Sequence, residues 1–108
     1  MEEKEFRILV KQMFKELEDA FEDVDPDVLE VEPGMGSLSF VSKSGKTVLS
    51  TQPSVSQIWL AAAALGEAVH FNWDASKKLW FDDRGQGKEL KAYLSEVFQR
   101  VAGLSIKL

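Results

Sequence analysis

The middle of the chain contains the segment Leu38-Ser39-Phe40-Val41-Ser42-Lys43-Ser44-Gly45-Lys46-Thr47-Val48-Leu49-Ser50-Thr51-Gln52. Its two ends, residues 38–42 and 47–52, are short runs with the β-branched and aromatic residues that are typical of strands. The polar residues 43–46 between them include a glycine and predict a hairpin loop. Because so short a loop joins only antiparallel neighbours, this segment predicts an antiparallel sheet.

Similar runs on either side of this hairpin extend the predicted sheet to about six strands. The additional runs are residues 28–32, 57–61, 68–73 and 79–82. Residues 33–36, Pro-Gly-Met-Gly, predict a turn, and Pro53 interrupts the ladder because proline has no backbone N–H. No connection within the sheet reaches the dozen or more residues that a parallel crossover requires. The strands therefore form an antiparallel meander.

Two amphipathic helices are predicted at the ends of the chain. From about Glu3 to Val24, apolar residues recur at spacings of three and four, and Asp25-Pro26 ends the pattern. The second helix runs from about Lys88 to Ala102, with Gly103 as its stop. The sequence therefore predicts an α+β two-layer sandwich with both helices on one face of the sheet, as a single domain over residues 1–108.

The composition excludes several classes of function. The chain has no Cys and one His, which leaves no thiolate metal site, no disulfide and no His-rich metal site. A net charge of −5 argues against non-specific binding to nucleic acid. The longest apolar run, Ile58 to Leu65, is far too short for a membrane span, and no signal peptide is recognisable. With no Walker motif or nucleophile elbow either, we expect no catalytic residues and a cytoplasmic protein that does not bind membranes.

The negative charge is concentrated in residues 16–32, here called the acidic segment. The segment has no Lys or Arg, and its nine acids are Glu16, Glu18, Asp19, Glu22, Asp23, Asp25, Asp27, Glu30 and Glu32. The rest of the chain has 13 bases against nine acids. Such a block is often only a solvated face. Here, however, the like-charge pairs Glu18/Glu22 and Asp19/Asp23 would repel each other at the negative end of the first helix, which favours a binding role.

Two kinds of ligand fit the acidic segment. Carboxylates select hard cations, which include iron, Mn²⁺, Ca²⁺ and Mg²⁺. Side chains spread over an exposed helix face do not enclose a cation, so we expect metal binding to be weak and labile. The same surface could instead attract a basic protein. The residues alone leave both alternatives open.

A second informative segment contains Gln52-Pro53 and Gln57-Ile58-Trp59-Leu60-Ala61. If Ile58 and Leu60 face the helices, alternation places Gln57, Trp59 and Ala61 on the opposite, open face. A Trp there is either an anchor for a partner or a side chain half-buried by its cross-strand neighbours. Alternation also predicts an outward-facing His70, which is either a metal ligand or part of the partner surface, or an ordinary surface histidine, the favoured interpretation because no second His accompanies it. Asp82 and Asp83 either extend metal binding or, as we expect, have a role in the turn that follows the last strand.

The chain resembles the frataxin family, in particular its bacterial CyaY-type members, which are iron donors. The matching features, in order, are the acidic first helix, the segment of residues 52–61, Phe71-Asn72-Trp73, Trp80, Asp82 and the Arg84-Gly85 loop. The resemblance implies a helix–sheet–helix sandwich that binds Fe²⁺ or Fe³⁺ on an acidic ridge. It also implies a role in iron–sulfur cluster assembly, as iron donor or as regulator of cysteine desulfurase.

The resemblance also assigns residues. The implied iron ligands are Glu18, Asp19, Glu22, Asp23, Asp25 and Asp27, with Glu16 and Glu30 as outlying candidates. The implied contact surface for cysteine desulfurase and the iron–sulfur scaffold protein consists of Gln52, Gln57 and Trp59. By the same resemblance, the protein is a monomer without iron and is open to iron-driven oligomerisation, and a processed eukaryotic relative would lie in the mitochondrial matrix. The alternative is an iron-independent acidic module that docks on a basic partner.

Overall fold

The computed structural model describes all residues, 1–108. The elements in chain order are α1 (Glu3–Ala20), β1 (Glu30–Gly34), β2 (Ser37–Ser42), β3 (Gly45–Gln52), β4 (Gln57–Ala62), β5 (Glu67–Asp74), β6 (Leu79–Asp82) and α2 (Leu90–Ala102). Single 3₁₀ turns, Pro53–Val55 and Ala63–Leu65, flank β4. All six strands pair antiparallel with their neighbours in chain order. The predicted sheet is therefore confirmed.

One face of the sheet carries the core. Its fully buried strand residues include Leu38, Phe40, Leu49, Ile58, Leu60 and Phe71. The helices contribute Phe6, Val10, Met13 and Leu17 from α1, and Leu90, Tyr93, Leu94, Val97 and Phe98 from α2. These residues form one cluster, so both helices cover the same face of the sheet and the predicted two-layer sandwich is confirmed. The opposite face of the sheet has no helix and is called the open face below. Neither helix has the length and apolar character needed to cross a membrane.

Helix α1 ends at Ala20, and the predicted end at Val24 is wrong. Phe21 leaves the helical path with φ −98° and ψ 4°. The ring of Phe21 packs against the rings of Phe40 and Phe98, with centroid distances of 5.3 and 5.2 Å. The apolar periodicity thus continues past the helix because Phe21 is still a core residue, although it is no longer helical.

This earlier end changes the charge pattern expected on α1. Glu18 and Asp19 lie in the last turn of the helix, whereas Glu22 and Asp23 lie beyond it. The expected pairs Glu18/Glu22 and Asp19/Asp23 are therefore not helical i,i+4 pairs, and that part of the repulsion argument is wrong. The other unfavourable contribution is still present, because Glu18 and Asp19 lie at the negative end of the helix dipole.

Other boundaries shift by one or two residues. β1 begins at Glu30 rather than at Val28, because the N–H groups of Val28 and Leu29 bond to the carbonyl of Asp25 in a turn. The turn predicted over residues 33–36 consists of residues 35–36 only, and the loop predicted over residues 43–46 consists of residues 43–44 only. α2 begins at Leu90 instead of Lys88.

Both ends of α2 are capped. At the N-terminus, the side chain of Glu89 accepts hydrogen bonds from the N–H groups of Lys91 and Ala92. At the other end, Gly103 has φ +62°, a conformation that costs other residues free energy, and its N–H bonds back to Gln99. The predicted glycine stop is confirmed.

A polar contact ties α2 to the start of β5. The carboxylate of Glu67 accepts hydrogen bonds from the hydroxyl of Tyr93 and from the guanidinium of Arg100, the latter at 2.9 Å. The Tyr93 hydroxyl and then Arg100 lower the pKa of Glu67. Burial, together with the neighbouring carboxylate, raises the pKa of Tyr93. Glu67 is therefore held as a carboxylate at neutral pH.

Candidate functional site

The acidic segment is held on the surface between two buried anchors. Phe21 and Leu29 are 6% and 2% exposed, and they fix the chain to the core at either end of the turn that follows α1. All nine acids of the segment are exposed. The predicted ligands Glu22, Asp23, Asp25 and Asp27 lie in this turn rather than on the helix. These carboxylates therefore lie on a short loop whose two ends are fixed by buried side chains.

Three acids of the segment have basic partners. Asp19 pairs with Lys15 at 3.1 Å, Glu16 pairs with Lys91 of α2, and Glu32 lies 4.0 Å from Lys46. The other six make no salt bridge; they are Glu18, Glu22, Asp23, Asp25, Asp27 and Glu30. The carboxylate of Asp25 also accepts the N–H of Asp27, at 2.9 Å. The anionic surface is thus only partly neutralised by the protein itself.

The acids do not converge on a single point. No group of three or more His, Asp or Glu side chains in the structure is placed to hold a metal ion together. A cation on the acidic segment would therefore contact one or two carboxylates and keep most of its water. Open coordination of this kind favours hard cations and rapid exchange.

The residues predicted for partner contact lie on the open face. Gln57 and Trp59 alternate with the fully buried Ile58 and Leu60, so their predicted outward placement is confirmed. Gln52 on β3 is the direct cross-strand partner of Gln57. The three residues predicted for partner contact therefore lie side by side on one surface.

Trp59 is held by its neighbours on the open face. Its ring stacks on the imidazole of His70, the cross-strand residue of β5. The indole Nε1–H donates to Oε1 of Gln57 at 2.8 Å. Nε2 of Gln57 in turn donates to Oδ1 of Asn72 at 3.1 Å and to Oδ2 of Asp83 at 3.3 Å. Trp59 is thus half-buried by its cross-strand neighbours, which was one of the two alternatives expected. The rest of its side chain is exposed on the open face.

His70, Asn72 and Asp83 are additions to the site that the sequence did not assign. The outward direction predicted for His70 is confirmed, but its ring is packed on an indole and lies 3.6 Å from Asp83. The signal for this contact was the register of β4 and β5, which pairs Trp59 with His70. To predict this register from the sequence, one would have to know how many residues connect β4 and β5.

The two surfaces meet along the first strand. Glu30 and Glu32 alternate on β1 with Val31, which packs against the core. Both glutamates therefore point to the open face, opposite Val41 and Ser39 of β2. The acidic segment thus continues from the exit of α1 onto the edge of the open face.

The loop after β6 is organised by Asp82. This carboxylate accepts the backbone N–H groups of Lys88, Gln86 and Arg84 at 2.8, 2.9 and 3.2 Å. Those hydrogen bonds, that of Gln86 first, lower the pKa of Asp82. The turn role predicted for Asp82 is confirmed, and the same loop places the neighbouring Asp83 beside the open face.

These features define a small α+β sandwich with an exposed acidic segment and a tryptophan on an open sheet face. The family model described as "Frataxin-like domain" matches residues 1–104. The chain belongs to the frataxin-like family, as the resemblance in the sequence indicated.

Curated relatives agree with this assignment. A protein of Tolumonas auensis is 34% identical over 109 residues, covering 100% of this chain and 99% of the relative. A protein of Stutzerimonas stutzeri is 32% identical, covering 99% and 94%, and one of Thioalkalivibrio sulfidiphilus is 38% identical, covering 83% and 78%. Each is named iron-sulfur cluster assembly protein CyaY.

A solved structure shows the same fold. The frataxin of Psychromonas ingrahamii superposes with a TM-score of 0.86, over 99% of this chain and 97% of that one. The two sequences are 23% identical. The arrangement of two helices on a six-stranded antiparallel sheet is therefore shared at low sequence identity.

Proposed function

We propose that this protein acts in iron–sulfur cluster assembly, where it binds iron weakly on the acidic segment and serves as iron donor, as regulator of cysteine desulfurase, or as both. The names of the curated relatives support the pathway. The open face, with Gln52, Gln57 and Trp59, would contact the desulfurase or the iron–sulfur scaffold protein. Iron is cargo in this proposal and not a resident cofactor.

The observation that carries the proposal is the set of six exposed carboxylates without a basic partner. An excess of unpaired like charge within one short segment is unfavourable unless a cation or a basic surface visits it. The structure provides Lys15, Lys91 and Lys46 for the other three acids, yet leaves these six unpaired. A hard cation such as Fe²⁺ would relieve their repulsion, and the open geometry would let it leave again.

The test for iron is an anaerobic titration of the apo protein with Fe²⁺, followed through backbone amide shifts. Shifts should concentrate in residues 18–30. The variant Glu18→Gln/Glu22→Gln/Asp23→Asn should weaken binding. A control with the same charge change, Glu2→Gln/Glu5→Gln/Glu96→Gln, removes exposed acids outside the segment that make no salt bridge and should bind as wild type does. Equal loss in both variants would contradict an iron site on the acidic segment.

The second candidate is an iron-independent module that docks on a basic partner surface. It is favoured by the absence of any converging metal-binding group. In that case apo protein should bind a cysteine desulfurase in a salt-dependent way, and the triple variant at residues 18, 22 and 23 should lose this binding without iron. If iron binding is lost but apo docking is unchanged, the donor role is favoured instead.

The open face is tested separately with Trp59→Ala. This variant should bind Fe²⁺ as wild type does, because Trp59 makes no contact with the acidic segment among its hydrogen bonds and ring contacts. Its complex with the desulfurase or the scaffold protein should be weaker. Loss of iron binding instead would place the metal on the open face and contradict the proposal.

A further inference from the structure

We propose that Asp83 is a positioning residue that fixes the indole of Trp59 on the open face, acting through the side chain of Gln57. Its consequence for partner binding rests on the proposed function of that face. Asp83 belongs to the loop after β6, whereas Trp59 belongs to β4, with β5 between them. Asp83 would therefore act on a residue that lies two strands away in the sheet.

A continuous set of hydrogen bonds makes the link. The Trp59 indole N–H donates to Oε1 of Gln57 at 2.8 Å. Nε2 of the same Gln57 amide donates to Oδ2 of Asp83 at 3.3 Å and to Oδ1 of Asn72 at 3.1 Å. Gln57 is thus bonded at both ends of its amide, and Asp83 and Asn72 occupy the end away from the indole.

The chemistry of Asp83 fixes which way the Gln57 amide points. A carboxylate accepts hydrogen bonds and has none to donate, so only the NH₂ end of the amide is favourable beside Asp83. The carbonyl end is then directed to the indole, which is a donor only. If the amide were reversed, an oxygen would face the carboxylate and an NH₂ group would face the indole N–H. Asp83 and the indole therefore both favour the observed orientation of the Gln57 amide.

Asp83 is itself held in place. Its N–H donates to the carbonyl of His70 at 2.8 Å and extends the pairing of β5 and β6 by one residue. The preceding residue, Asp82, is anchored by three backbone hydrogen bonds. The side chain of Asp83 is 29% exposed, and its Oδ2 lies 3.6 Å from Nδ1 of His70, the residue stacked on Trp59. One carboxylate therefore contacts two of the side chains that hold the indole.

A fixed indole is useful at a binding surface. A tryptophan that already has its bound orientation loses less side-chain entropy when a partner arrives. Residues of this kind are the ones that dominate binding energies at interfaces. Asp83 would thus strengthen partner binding without touching the partner.

The test follows the indole N–H of Trp59 by ¹H–¹⁵N NMR, with Trp59→Phe used to assign the resonance. Trp73 and Trp80, whose rings pack together at 5.2 Å in the helix-facing layer, are internal references. In Asp83→Ala the Trp59 signal should shift, and its hydrogen exchange should become about threefold to tenfold faster, the size expected when one supporting hydrogen bond is lost. The references should not move.

Two further variants make the test specific. Asp83→Asn keeps an oxygen that can accept from Gln57, and the donor-only indole still favours the same amide orientation, so the Trp59 signal should stay close to wild type. Glu96→Ala removes an equal charge from α2 without touching the network, and it should have no effect. An unchanged indole in Asp83→Ala, an equal change in Glu96→Ala, or failure of Asp83→Asn to rescue would each overturn the positioning role.

Binding to the cysteine desulfurase is measured on the same variants. Asp83→Ala should weaken binding about threefold to tenfold, with Asp83→Asn near wild type. If wild type does not bind at all, the proposed function fails while the indole result still decides the role of Asp83. If the indole is released and binding is unchanged, the consequence for the partner is overturned.

Discussion

The imidazole of His70 lies flat on the indole of Trp59, with ring centroids 4.2 Å apart and ring planes inclined by 9°. The two residues are direct cross-strand neighbours on β4 and β5. The neighbour of Trp59 on the other side is Ser50 of β3, whose side chain is too small to cover an indole. One face of the indole is therefore covered by His70, and the cross-strand neighbour on the other side leaves it uncovered.

Replacing His70 by Ala should lower the free energy of unfolding by about 0.5–1.5 kcal/mol, because a stacked ring pair contributes this much beyond its buried area. The measurement is urea denaturation of wild type, His70→Ala, Trp59→Ala and the double variant. The effect of His70→Ala should disappear in the Trp59→Ala background, since the partner ring is gone. An undiminished effect in that background would show that His70 stabilises the fold by another contact.

Neutralising unpaired acids should stabilise the protein at low salt. Glu18→Gln/Glu22→Gln/Asp23→Asn removes an unpaired acid from the negative end of α1 and lowers the net negative charge of the acidic segment, and we expect the melting temperature to rise by about 1–4 °C. The gain should vanish near 1 M salt, where screening is nearly complete. Thermal unfolding followed by circular dichroism checks both statements.

Acids that already have a partner provide the control for this prediction. Glu16 pairs with Lys91 and Asp19 pairs with Lys15. Glu16→Gln/Asp19→Asn should therefore give no gain in melting temperature at low salt. A fall in melting temperature in the variant at residues 18, 22 and 23 would contradict the repulsion argument.

Local sequence patterns were sufficient to predict the two layers of this fold. Period-two alternation placed Ile58 and Leu60 in the core and Trp59 on the open face, and short connections required antiparallel pairing. The end of α1 was missed for a physical reason. Phe21 continues the apolar spacing of the helix and is buried, so the pattern does not distinguish a helical core residue from one in the turn that follows.

Contacts between distant parts of the chain were beyond the reach of the sequence. Lys91 and Glu16 are 75 residues apart, and Gln57 and Asp83 are 26 apart. Such contacts depend on strand register and on how the helices lie on the sheet, neither of which a local pattern contains. The acidic segment was found because its residues adjoin in sequence, whereas the network around Trp59 required the sheet.

Acid should weaken the contact between α2 and β5. The Tyr93 hydroxyl and Arg100 lower the pKa of Glu67 in the folded state. A lowered folded-state pKa means that the stabilisation is complete above the ordinary range of a glutamate, about pH 5 and higher, and is lost as pH falls through the lowered value. Glu67→Gln should accordingly be less stable than wild type at neutral pH, and the difference should shrink in acid.

The measurement is urea denaturation of wild type and Glu67→Gln at several pH values from neutral to acidic. Glu96→Gln is the matched control because Glu96 is an exposed acid of α2, the helix that carries Tyr93 and Arg100, and it makes no salt bridge. Its difference from wild type should stay small and nearly constant with pH. If Glu67→Gln remained equally less stable at low pH, ionisation of Glu67 would not be the source of the stabilisation.

Removing the carboxylate of Asp82 should loosen the loop after β6. In Asp82→Ala the backbone N–H groups of Gln86 and Lys88 lose their acceptor, so their hydrogen exchange should become about tenfold faster and the melting temperature should fall. Asp82→Asn retains an accepting oxygen and should lie between wild type and Asp82→Ala. Because the adjacent Asp83 supports Gln57, the indole N–H of Trp59 should shift in Asp82→Ala as well. A loop that exchanges faster while the Trp59 signal stays in place would show that the open face is independent of this loop.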